Sequence, residues 1–176
     1  MKNQNTKKLA YAALFLALSL VLPMLTGQIP QIGSMLLPMH IPVLLCGLVC
    51  GWQYGAAVGF VAPLLRSVLF GMPPMYPVAI AMAFELLTYG LVIGLVYRRM
   101  AQKGAAGVYA ALLTAMAAGR LVWSVAEVVL LGLGGKAFTA QAFLAGALLN
   151  AVPGIIVQLV LIPAVMAALQ KAGAVK

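Results

Sequence analysis

The chain's only two acidic residues, Glu85 and Glu127, lie inside long apolar stretches, and so do the basic residues Arg66 and Arg120. Ionised side chains in apolar surroundings are costly, and where they occur they usually pair with one another or line a polar cavity that serves a function. Arg120 and Glu127 are seven residues apart, which sets them two turns apart on one face of a helix. Together with Glu85 and Arg66 they make two guanidinium groups and two carboxylates, an internally neutral network if all four meet. Such a set has three uses. The arginines can grip a carboxylate on a solute; the glutamates can take an amine or hydroxyls, or act as a base; or the four groups can satisfy one another and serve structure alone.

The elements that must hold these groups are membrane helices. Hydrophobic residues make up 65% of the 176 positions and charged residues 7%, and the apolar runs approach or exceed the roughly 20 residues that a helix needs to cross a bilayer. A soluble domain of this size needs a charged surface, whereas lipid covers an apolar one. The chain is therefore expected to be one all-α integral membrane domain over residues 1–176, without a water-soluble domain. Lys2, Lys7 and Lys8 ahead of the run from Leu9 suit a signal peptide, but further spans follow and no small-x-small cleavage site precedes Pro23, so the segment is expected to stay. Cys46 and Cys50, four apart in an apolar helix, lack disulfide spacing and the further ligands of a metal site. Packing is their expected role.

The pattern predicts six spans, at about 7–24, 39–51, 53–70, 77–99, 106–131 and 140–170. The second is too short to cross upright, which is tolerable if the segment from Gly27 to Pro38 folds as an ordered loop into the outer face. Lys2, Lys7 and Lys8, then Arg98, Arg99 and Lys103, then Lys171 and Lys176 all fall on one side of such a bundle. Positive charge stays cytoplasmic, so both termini are expected inside. The formal charge of +9 is on this reading a topology signal rather than a nucleic-acid one. Ala13 and Ala17 on the first helix, and Gly51, Gly55 and Gly59 around the start of the third, form small-residue steps of the kind that let membrane helices approach closely.

Helical rise then gives depth. Arg66, Glu85, Arg120, Glu127 and Asn150 fall about 6 to 16 Å below the outer end of their helices, and His40 is expected at that same surface. Gln158 is the one strongly polar group left outside this half. Packing residues would scatter over all depths; groups lining a cavity open to one side are confined to it. Met24, Met35, Met39, Met72, Met75 and Met82 gather near the outer loops, with Tyr76 and Trp123 close in depth. Thioethers and amphipathic rings suit a small-molecule pocket, although methionine also serves as packing filler. The stretch Gly71-Met72-Pro73-Pro74-Met75-Tyr76-Pro77 is a short stiff connection, expected to form part of a lid. The substrate-binding set expected from these arguments is His40, Arg66, Met72, Tyr76, Glu85, Arg120, Trp123, Glu127 and Asn150. No phosphate-binding Lys loop, His-Glu-x-x-His or serine with a base occurs, and no repeated halves of a self-sufficient transporter are visible. A small membrane enzyme using Glu85 or Glu127, or a non-catalytic assembly subunit, are the readings from other classes.

The run Leu37-Pro38-Met39-His40-Ile41-Pro42-Val43-Leu44-Leu45, then Gly47, Gly51, Gly55 and Gly59, Pro63-Leu64-Leu65-Arg66-Ser67, Gly71-Met72-Pro73-Pro74, Phe84-Glu85-Leu86 and Tyr89-Gly90 resembles the substrate-binding S components of energy-coupling factor (ECF) vitamin transporters. The resemblance covers the whole chain and extends in part to the pantothenate-type branch, with other water-soluble vitamins or a nucleobase-like precursor open as the solute. It implies a multi-pass prokaryotic plasma-membrane protein of six helices that binds a vitamin from outside, under the loops joining helices one to two and three to four. It also implies a transmembrane coupling (T) protein and two cytoplasmic ATPases as partners, so that ATP is hydrolysed by other chains and this one carries no cofactor. The family's Ala-x-x-x-Ala contact with the coupling protein matches Ala13 and Ala17.

Overall fold

The structure, a computed structural model, describes residues 2–26, 36–100, 104–134 and 151–173. Six helices run through them: α1 (Lys2–Thr26), α2 (His40–Cys50), α3 (Trp52–Phe70), α4 (Ile80–Met100), α5 (Gly104–Leu133) and α6 (Val152–Lys171), with a wide turn at Met75–Ala79 leading into α4. Five of these segments are long and apolar enough to cross a bilayer, and α2 is the shorter sixth. The chain is an all-α, multi-pass membrane protein. Most boundaries fall within a few residues of expectation, while α1 starts five residues early. The described part of the last helix begins at Val152; the expected stretch from 140 to 150, with Asn150, lies outside the described residues. So do Gly27 to Met35, Lys103, Lys136 and Lys176.

An apolar helix without a polar face has to be enclosed on all sides, and α2 is enclosed: every residue but Val49 is buried. It packs against α1, α3, α4 and α6, while α4 lies between α3 and α5. Glycines let these backbones touch. A Cβ on Gly55 would sit 2.6 Å from the Gly47 Cα and 2.8 Å from the Gly90 oxygen, so α2, α3 and α4 meet at one point. Gly59 is likewise pressed on the Leu86 carbonyl. Gly51 departs from the packing role expected of it. Nothing lies within 4 Å of its would-be Cβ, and its φ of +99° makes the turn from α2 into α3, a conformation for which glycine carries no steric penalty. Cys46 and Cys50 are free and buried in the core, as packing residues would be.

Two side-chain bonds fix how the helices align lengthwise. The Tyr76 hydroxyl donates to the Leu130 carbonyl, joining the turn before α4 to the far end of α5. Gln170 Nε2 donates to the Tyr97 hydroxyl at 3.1 Å, joining the last turns of α6 and α4. We call the Tyr76 end upper and the Gln170 end basic, after Arg98, Arg99 and Lys171. Four hydroxyls along the spans are satisfied within their own helices: Ser19, Thr88, Thr114 and Ser124 each donate to the carbonyl four residues back, which removes the cost of a free donor in an apolar medium.

Candidate functional site

Glu85 is the hub of the buried polar groups. It faces inward from α4, 1% exposed. Arg120 Nη1, from α5, lies 3.1 Å from its Oε1, and His40 Nε2, from the first turn of α2, lies 3.6 Å from its Oε2. The second distance exceeds a hydrogen bond. One turn below Glu85 on the same face, the buried Tyr89 ring stands edge-on to His40 at 5.4 Å and 61°. The residue before Arg120 is Gly119, and a Cβ there would run into the Tyr89 ring. Gly119 thus admits Tyr89, and Tyr89 supports His40. Neither residue stood among the expected site residues, although Tyr89 follows Glu85 by four, the spacing of helical neighbours on one face.

His40 corrects an expectation. It does not sit at the upper surface, because α2 rises only about 16 Å and its other end is anchored low: a Cβ on Gly94 of α4 would lie 2.5 Å from the Trp52 nitrogen. Its contact with Glu85 sets the top of α2 within the bundle.

The four charges do not form one network. Arg66 Nη1 donates to the Leu20 carbonyl of α1 at 2.6 Å, and the guanidinium lies 5.5 Å from the Phe70 ring centroid. Helix register separates it from Glu85: Gly59 lies against Leu86, which puts Arg66, seven residues on, about 10 Å higher. Glu127 is about 10 Å above Arg120 for the same reason. It is buried at 6% exposure and has no ion-pair or hydrogen-bond partner among the described residues. The result is two tiers, a floor of His40, Glu85 and Arg120 and an upper tier holding Arg66 and Glu127. Trp123, half-buried, lies between the tiers along α5. Tyr76 and Met72 are 48% and 60% exposed at the upper end, so Met72 stands apart from the buried set.

Gln158 corrects a second expectation, that it lies away from the other polar groups. Tyr97 and Gln170 are bonded at the basic end, and Glu85 and Gln158 each lie about 18 Å (twelve residues) up their helices from that bond. Gln158 therefore belongs to the floor level. Its placement was missed because α6 was expected to start at 140. It is 1% exposed and points inward along the buried stripe Gly154, Gln158, Ile162 and Met166.

The floor is rich in unmet donors. Arg120 Nε and Nη2 and Gln158 Nε2 are buried donors without hydrogen-bond partners among the described residues, and the two His40 ring nitrogens, in a neutral imidazole one donor and one acceptor, are also without them; Glu85 Oε1 has the Arg120 ion pair alone. Buried donors of this kind carry a desolvation cost that a bound acceptor would relieve. No group of three His, Cys, Asp or Glu able to hold a metal occurs among the described residues. An apolar groove between α4 and α5, lined by Phe84, Leu121, Val125 and Val129, lies on the exposed side of these helices, where lipid suits it better than a polar solute. On α1, Ala12, Phe15 and Ser19 are buried, while Ala13 and Ala17 are exposed on another face.

No curated protein and no solved structure matches the chain. The sequence profile described as "ECF transporter, substrate-specific component" matches residues 7–166. The six apolar helices of the described residues accord with that match, which covers nearly the whole length, and the chain belongs to the family of ECF transporter substrate-specific components.

Proposed function

We propose that the chain binds a water-soluble vitamin or related micronutrient with high affinity from outside, with pantothenate the first candidate, and hands it to an ATP-driven importer. The observation that carries this reading is the floor of buried, unmet donors on Arg120, with the unpartnered His40 ring beside them, around Glu85. A small carboxylate with hydroxyls would meet Arg120 below and Glu127 above, with Trp123 between them and Arg66 and Tyr76 toward the upper end. The upper end faces outside on this reading, because Arg98, Arg99 and Lys171 mark the opposite end and positive charge stays cytoplasmic. Both termini are then cytoplasmic. The exposed Ala13 and Ala17 offer a small-residue face to the coupling protein, and two cytoplasmic ATPases supply the hydrolysis. Purified protein titrated with a panel of B vitamins tests the reading: one compound should bind below micromolar and be recovered unchanged. Chemical turnover of a bound compound by the lone chain would favour an enzyme instead.

A further inference from the structure

We infer that Gln158 is a specificity-determining ligand contact, donating from Nε2 to the acceptor-rich end of the solute and so fixing that end on the floor. This deepens the reading above and rests on it. Three observations lead to it. Gln158 is almost fully buried, yet its amide nitrogen has no partner among the described residues, although most polar groups so deeply buried are satisfied. The Tyr97–Gln170 bond sets it about level with Glu85, on a helix that packs against both α2 and α5, the helices of His40 and Arg120. The residue one turn above it on the buried stripe is Gly154, the smallest available, so no side chain of that stripe covers Gln158 from the upper side.

The balance of charge gives the amide its purpose. Glu85 already pairs with Arg120, so the floor offers a solute carboxylate little net positive charge. Uncharged donors must then hold the second carboxylate oxygen, and Gln158 supplies one without adding a charge that itself needs a partner. Arg120 takes one oxygen of the acceptor end and Gln158 the other, while hydroxyls at the far end of the solute donate to Glu127 on the upper tier. The orientation is therefore carboxylate down and hydroxyls up.

The test uses purified full-length protein in nanodiscs, with pantothenate and its alcohol analogue, in which CH2OH replaces the carboxylate, as probes. Gln158→Leu should weaken pantothenate binding about tenfold or more and shrink the preference for pantothenate over the alcohol. Gln158→Glu should abolish pantothenate binding, because it sets a carboxylate against a carboxylate. The melting temperature of ligand-free Gln158→Leu should equal or exceed that of wild type, since the change removes an unmet buried amide. Pantothenate affinity within twofold of wild type, an unchanged preference between the probes, or a lowered ligand-free melting temperature would each overturn the assignment of Gln158 while leaving the vitamin reading intact. A wild-type protein that binds neither probe overturns the choice of pantothenate, and the orientation argued from it.

Discussion

Glu85 holds the floor together, and its partner Arg120 is the residue whose removal is most informative. Arg120→Ala takes away a donor to the solute and also leaves Glu85 as a buried, uncompensated charge. Ligand affinity is expected to fall by about 2 kcal/mol or more, and stability by about 3 kcal/mol, because breaking a buried pair from one side exposes the other ion's desolvation cost. Titration and thermal melting on the same preparation separate the two effects, and a well-folded variant with unchanged affinity would remove Arg120 from the site. Gly119→Leu gives a complementary result: it touches no solute on this account, yet it should displace the Tyr89 ring, disturb His40 and weaken binding. An unaltered affinity in that variant would show that Tyr89 does not position the floor. The interior placement of Glu85, Arg120 and Glu127 was legible in the sequence, because ionised groups in apolar helices have few other places to go. The pairing was not. Arg66 found the Leu20 carbonyl of α1, and nothing in the spacing along one helix says which neighbour lies opposite.

The short helix α2 determines where the site can be. Its enclosure by four other helices depends on backbone contact through Gly47, Gly55 and Gly90, and a large side chain at that junction has nowhere to go. Gly90→Leu is expected to destabilise the bundle by about 3 kcal/mol or prevent folding. Gly51→Ala meets no neighbour and should cost only about 1 kcal/mol, from its backbone conformation alone. Melting of the two variants in detergent checks the order; equal losses would contradict the distinction between a packing and a turn glycine. The helices themselves were legible from hydropathy, including the shortness of the second. The height of α2 was not, since it follows from Gly94 seating against Trp52, a contact between helices. The same gap misplaced His40 at the surface and left Gln158 apart from the floor.

The proposed function needs two separate surfaces, the buried polar interior and the exposed small-residue face of α1, and they should fail independently. Replacing Ala13 and Ala17 together by leucine is expected to leave solute affinity nearly intact and to block close approach of the coupling protein, so uptake by cells collapses while binding by the isolated chain persists. Loss of binding in that double variant, or full transport, would contradict the assignment of the face. Whether this chain captures a solute for an importer powered elsewhere is decided by accumulation of radiolabelled vitamin in proteoliposomes. The chain is reconstituted alone or with a coupling protein and two ATPases, each with and without ATP inside the assay. Saturable binding by the chain alone is expected, and accumulation only with the full assembly and ATP. Accumulation by the lone chain, or ATP-driven uptake by the assembly lacking it, would rule out a solute-capturing subunit.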